Sequence, residues 1–179
     1  MPKKVNCLDS ALAEAHYLCN VERNADVVSM ISYAPLFAKR GYTRWNPDMI
    51  YFDNTSITLT AGYQVQKLFG NYTGETYLPS SIAVEGRDPK VQRRLAASCV
   101  EDKTSGDLIV KVANLLPVGN EVTIELPKAV GLKAAETLTD NLEAVEVAPV
   151  PLTGAELSGN VLRATLNAYS FTVFRVSTK

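Results

Sequence analysis

Residues 13–37, AEAHYLCNVERNADVVSMISYAPLF, and 44–69, RWNPDMIYFDNTSITLTAGYQVQKLF, decide how the first half of this chain folds. Leading into the first stretch, Leu8, Leu12, Ala15 and Cys19 fall at helical spacing. Asp9 or Ser10 is placed to cap that helix, expected to run to about Asn20. After the turn VERNAD comes VVSMISY, residues 27–33, a nearly continuous apolar run rather than an alternating one. Strands covered on both faces, as in a parallel sheet flanked by helices, read this way. Pro35 ends the run. A loop rich in Gly, Pro and Asn follows over about 34–60, with MIYF inside it, and loops of this length are functional or disordered. Thr60 is then expected to cap a second helix through about Tyr72, with Val65, Leu68, Phe69 and Tyr72 at i, i+3, i+4 and i+7. Helix, buried strand, helix is an α/β repeat without its other strands. One parallel strand makes no sheet, so this half is expected to be incomplete or to borrow structure from elsewhere.

From about Thr76 the apolar period changes to two. Strands are expected at 83–86, 94–101, 107–115, 121–126, 135–138, 144–148, 161–166 and 171–176. Leu108, Val110 and Val112 alternate with Ile109, Lys111 and Ala113; Val122, Ile124 and Leu126 alternate with Thr123 and Glu125. Turn signals separate the runs, as in Thr104-Ser-Gly-Asp107 and Pro117-Val-Gly-Asn120. Short strands at this spacing predict an antiparallel β-sandwich, jelly-roll-like, preceded by the helix–strand–helix segment. The change falls near NYTGETYLPSS, residues 71–81, which sets expected units of 1–75 and 76–179.

Composition excludes several classes. With 46% apolar residues, 21% charged residues and a net charge of −1, the chain reads as an ordinary soluble globular protein. No basic stripe suggests nucleic acid or an anionic membrane, and no apolar run approaches the roughly 20 residues that span a bilayer. Cys7, Cys19 and Cys99 form no CxxC pair and His16 is the single histidine, so neither a zinc site nor a disulfide framework is expected. No cofactor is called for. Lys3 and Lys4 precede VNCLDSALAEAHYL, which lacks the apolar core of a signal peptide, and localisation stays open.

Four motifs in one order carry a resemblance: Glu22-Arg23-Asn24-Ala25-Asp26-Val27-Val28, Tyr33-Ala-Pro-Leu-Phe37, Trp45-Asn-Pro-Asp48 and Tyr63-Gln-Val-Gln-Lys-Leu-Phe69. Together with Ala13-Glu14-Ala15-His16, they resemble the closing segment of the catalytic barrel in α-L-arabinofuranosidases of glycoside hydrolase family 51. The likeness is dense over about 11–72 and architectural beyond, where such enzymes carry a C-terminal β-sandwich. Leu59-Thr60-Ala61 departs from the Gly-Thr-Pro often found before the last helix, which leaves that loop's geometry open.

The resemblance implies a TIM barrel end and retaining hydrolysis of terminal α-L-arabinofuranosyl groups on arabinan or arabinoxylan. Retention needs two carboxyl groups about 5–5.5 Å apart. In the family both are glutamates at the ends of the fourth and seventh barrel strands, ahead of the matched segment. No catalytic residue is therefore assigned here, and this chain alone is expected to be inactive. The implied partners are an arabinose-containing glycan, met through the parent enzyme, and the missing catalytic barrel.

Active sites of such barrels lie at the C-terminal ends of strands, so the loop after Tyr33 is expected to face the sugar cleft. Trp45 is a candidate for stacking on a sugar face or for pinning the loop. Asn46 and Gln66 are candidates for bonding sugar hydroxyls, with a structural role favoured for Gln66 because it borders its helix's apolar stripe. Asp48 and Asp53 read as loop-capping residues. Glu22 and Arg23 precede the strand, at the stability face of a barrel, and read as ion-pairing; Glu136, Glu143 and Glu146 read as a solvated face. Asn54-Thr-Ser and Asn71-Tyr-Thr match glycosylation sequons, which are frequent by chance.

A carbohydrate-binding or interaction module is the competing reading. A glycan-binding strand surface calls for several aromatics, and residues 80–179 hold only Tyr169, Phe171 and Phe174. Unshielded helix stripes and the 27–33 run imply self-association, or helices packed back onto the sandwich.

Overall fold

The computed structural model describes residues 6–85 and 88–179. Two helices, α1 (Leu8–Arg23) and α2 (Ala61–Asn71), lie on one face of a six-stranded sheet. Between them sit three short strands, β1 (Phe37–Lys39), β2 (Ile50–Phe52) and β3 (Ile57–Leu59), ordered β1-β2-β3. Next come β4 (Thr76–Tyr77), a single turn α3 (Pro89–Gln92), β5 (Leu95–Glu101), β6 (Leu108–Asn114) and β7 (Asn120–Glu125). The chain continues through β8 (Gly131–Leu138), β9 (Val150–Pro151), β10 (Glu156–Ser158), β11 (Val161–Leu166) and β12 (Ser170–Ser177).

The large sheet has the order β4-β5-β6-β12-β8-β9, and β10-β11-β7 forms the second sheet, all with antiparallel pairing. The expected mainly-β antiparallel sandwich is what forms. Leu108, Val110 and Val112 of β6 meet Leu162, Ala164 and Leu166 of β11 in the core between the sheets. Ile109 and Ala113 point the other way, into a core shared with Leu8, Leu12, Ala15 and Cys19 of α1 and Val65 and Leu68 of α2. The central strand β6 is therefore buried on both faces, which is why both of its alternating sets are apolar.

Lys111 is the exception in that strand. It has no exposure, and its Nζ lies 2.6 Å from Glu22 Oε1 of α1. Ser98 Oγ donates to the other Glu22 oxygen at 2.6 Å, and the Lys111 ammonium sits 5.0 Å from the Phe69 ring centroid. Phe69 in turn stacks on Phe171, centroids 5.1 Å apart. The ion pair expected of Glu22 is thus made across the helix–sheet interface. Arg23 instead donates to the Ser80 carbonyl at 2.9 Å.

Several expectations are corrected. Residues 27–33 form no strand: Val27 is 76% and Met30 84% exposed, and no ladder partner lies beside them among the described residues. A parallel strand draws its stability from neighbours on both sides, and none is supplied. Residues 144–148 also form no strand. Their loop is committed elsewhere, since the Leu8, Asp9 and Ala61 amides donate to the carbonyls of Ala144, Leu142 and Val145 at 2.9, 3.0 and 2.7 Å.

One sandwich loop therefore caps the N-termini of both helices. Cys7 is the N-cap of α1 without a side-chain bond, rather than Asp9 or Ser10. Residues 83–85 lie outside any strand, and Gly86 lies outside the described residues. Strand β8 begins four residues earlier than 135, because Gly131 and Leu132 still pair with Ser177 and Val176 across a bulge.

Candidate functional site

The segment between α1 and α2 holds the residues to which the motifs point. Thr60 closes it. Its buried Oγ1 donates to the Met49 carbonyl at 2.6 Å and accepts from the Tyr63 amide at 3.4 Å, which caps α2. Strands β1 and β2 pair in parallel and β2 and β3 antiparallel, so the loop has its own small frame. The Ala34–Pro35 and Asn46–Pro47 peptides are cis.

Trp45 stands on this frame 67% exposed, with its backbone tied to Thr43 by bonds of 2.8 and 3.1 Å. Beside it, Asn46 Oδ1 accepts from the Tyr51 hydroxyl at 2.9 Å, and that hydroxyl accepts from the Asp48 amide at 2.8 Å. Asp48 is 2% exposed and its Oδ2 has no partner among the described residues. Burial raises its carboxyl above the ordinary aspartate value, against a hydrogen bond from Thr43.

Asp53 caps its own turn: Oδ1 accepts from the Thr55 and Ser56 amides, each at 2.8 Å. Those bonds hold its carboxyl well below the usual range. Gln66 points elsewhere, donating to the Glu14 carboxylate of α1. The structure pairs Trp45 with Asn46 on one loop and commits Gln66 to the helix–helix contact. Burial raises the Glu14 carboxyl, partly offset by that Gln66 bond.

Asn6 organises this site without any signal in the sequence. It is 3% exposed; its Nδ2 donates to the Tyr33 hydroxyl at 3.0 Å, and its Oδ1 accepts from the Gly62 amide at 3.0 Å. A Cβ at Gly62 would lie 2.6 Å from the Asn6 side-chain amide, so any larger residue there would have to displace Asn6 from its bonds. Burial, reinforced by Glu14, Tyr51 and Asp48, raises the Tyr33 phenol, so it remains a neutral hydrogen-bonding group. A lone Asn ahead of a helix has no periodicity to betray such a role.

Chemically, the exposed Trp45 indole offers an apolar, polarisable face to solvent, while the Asn46 amide oxygen and the Tyr51 hydroxyl bond to each other beside it. Among the described residues no three His, Cys, Asp or Glu side chains gather as a metal site, and no helix is long and apolar enough to cross a membrane.

Residues 2–170 match the model of the α-L-arabinofuranosidase C-terminal domain. The chain belongs to that family. An extracellular exo-α-L-arabinofuranosidase of Streptomyces chartreusis is 45% identical over 75 residues, 42% of this chain and 9% of that protein. α-L-Arabinofuranosidase 1 of Arabidopsis thaliana is 37% identical over 103 residues, 58% of this chain and 14% of the relative. This α-L-arabinofuranosidase C-terminal domain thus spans a small part of the relatives it matches.

Among solved structures, the arabinose-bound family 51 arabinofuranosidase MgGH51 superposes with a TM-score of 0.78 at 26% identity, over 98% of this chain and 28% of the other. The family 51 arabinofuranosidase of Xanthomonas axonopodis pv. citri shares the fold, with a TM-score of 0.75 at 23% identity over 97% of this chain and 36% of the other.

Proposed function

We propose that this chain is the C-terminal portion of a retaining α-L-arabinofuranosidase acting on arabinan or arabinoxylan side chains, with both catalytic glutamates supplied by a barrel region outside it. In this reading residues 1–75 close the barrel and residues 76–179 form the supporting sandwich. Residues 27–33 become the barrel's last parallel strand, and the loop bearing Trp45 and Asn46 borders the sugar cleft.

One observation supports this above the rest. The segment richest in family motifs is also the one that leaves Val27, Met30, Phe37, Trp45 and Ile57 exposed. Apolar surface of that extent marks an interface. Of the three aromatics that could make a glycan platform on the sandwich, Phe171 and Phe174 are fully buried and Tyr169 is half-buried against the helix-side core, which disfavours an independent binding module.

The test is hydrolysis of a chromogenic α-L-arabinofuranoside. The isolated chain is expected to show no rate above background, and a fusion to the barrel region of the Streptomyces relative is expected to turn over. Turnover by the isolated chain would defeat the proposal, and so would an inert fusion that nevertheless folds.

A further inference from the structure

At the far end of α2 from the Trp45 loop, a pocket of about 470 Å³ opens between that helix and the large sheet. Lys67 and Asn71 line it from the helix, Tyr72 from the helix C-cap, Glu136 from β8, Pro149 from the loop before β9, and Arg175 from β12. Its volume lies in the range that holds small ligands.

The charges facing it are largely balanced within the protein. Arg175 donates to Asp107 at 2.6 Å and to Asp102 at 2.8 Å, and Lys133 completes the Asp107 pair at 2.7 Å. Glu136 Oε1 accepts from the Tyr72 hydroxyl at 2.9 Å. Among the described residues no hydrogen bond or ion pair engages Glu136 Oε2, the Lys67 ammonium or the Asn71 side-chain amide, so acceptors on Glu136 and Asn71 and donors on Lys67 and Asn71 are left for a ligand. The Tyr72 phenol is pushed up to about 12, by burial first and then by Glu136, so it remains a donor at every working pH.

A strong anion site would present several cations without partners; here Lys67 stands alone among the described lining residues, Arg175 is already neutralised, and Glu136 adds a negative charge. A group of donors and acceptors over an apolar Tyr72 and Pro149 floor suits vicinal hydroxyls instead.

We propose that this pocket binds a short neutral saccharide, with Glu136 accepting from a pair of hydroxyls, and Lys67 and Asn71 donating to their neighbours. The saccharide class is argued from the pocket's chemistry; only the choice of an arabinose oligomer as probe rests on the function proposed above.

The experiment is a two-dimensional ¹H–¹⁵N NMR titration of the chain with α-1,5-arabinotriose, with xylotriose and sodium phosphate run separately. Saturable shifts are expected at the amides of Lys67, Asn71, Tyr72, Glu136 and Arg175. Glu136→Gln is expected to weaken binding about tenfold, the usual cost of losing a charged hydrogen-bond acceptor. Lys67→Ala, on an exposed position, is expected to weaken it while leaving the rest of the spectrum unchanged. Saturation by xylotriose alone would uphold the pocket while counting against the arabinan reading. The proposal is overturned by no saturable shift at these amides, by shifts confined to residues 43–53, or by an equal response to phosphate.

Discussion

Glu22 and Lys111 show how a single buried pair ties the helical half to the sandwich. Lys111 has no exposure, and its carboxylate partner comes from the other side of the interface. Removing one member of such a pair leaves an uncompensated charge, whereas replacing both with apolar groups is often neutral. Glu22→Gln is therefore expected to lower stability by about 3 kcal/mol in urea unfolding. The double variant Glu22→Leu/Lys111→Met is expected to recover most of that loss. Equal destabilisation by the single and double variants would show that the pair contributes little beyond packing volume.

Asp107 gives a second prediction at this scale. Burial alone would raise its carboxyl, but the hydrogen bonds from Lys133 and Arg175 outweigh burial and hold it below its ordinary value of 3.8. A carboxyl depressed in the native state stabilises fully above its unfolded value and loses that contribution as pH falls through the native one. Asp107→Asn should therefore reduce the melting temperature near pH 7, with the difference from wild type shrinking in the acid range below about 4. A difference that stays constant down to pH 2 would contradict the assignment.

Single residues were unevenly legible. Glu22 as an ion-pairing residue and Asp53 as a turn cap follow from position and type. Lys111 sits in an alternating strand where a charge normally faces water, and nothing local reveals that both faces of β6 are covered. Glu136 alternates with apolar neighbours as a solvated residue does and is half-exposed, but nothing local shows that a helix distant in sequence brings the Tyr72 hydroxyl onto one of its oxygens.

Elements were read best where the signal is local. The α2 stripe and its Thr60 cap agree with the structure because both are set by residues within a few turns. Thr60→Ala removes a buried hydroxyl that serves Met49 and the first turn together, and is expected to cost about 1 kcal/mol. Thr60→Ser should keep most of it. Chemical denaturation distinguishes the two, and equal losses would mean that the methyl group matters more than the cap.

Residues 144–148 have strand-like apolar spacing, but spacing cannot show that a loop's carbonyls are claimed by helix N-termini. Residues 27–33 have strand composition, but a ladder needs a neighbour that composition does not supply. In the function proposed above, that neighbour is supplied by the barrel region outside this chain.

For the whole molecule, the exposed apolar surface is concentrated between α1 and α2, while the sandwich is closed around its own core. In isolation that surface is expected to drive concentration-dependent association, read by sedimentation as a mass above 19.5 kDa. Met30→Asp is expected to suppress it, since Met30 is 84% exposed and supports no core. A mass that stays monomeric at all concentrations would argue that the patch is too small or too dispersed to be an interface.

The central claim is that residues 27–33 are a barrel strand lacking its neighbours. Amide hydrogen exchange tests it directly, comparing this chain alone with the same chain fused to a family barrel region. The account predicts fast exchange at 27–33 in the isolated chain and strong protection in the fusion, with the β5, β6 and β12 amides protected in both. Fast exchange at 27–33 in a folded fusion would contradict it.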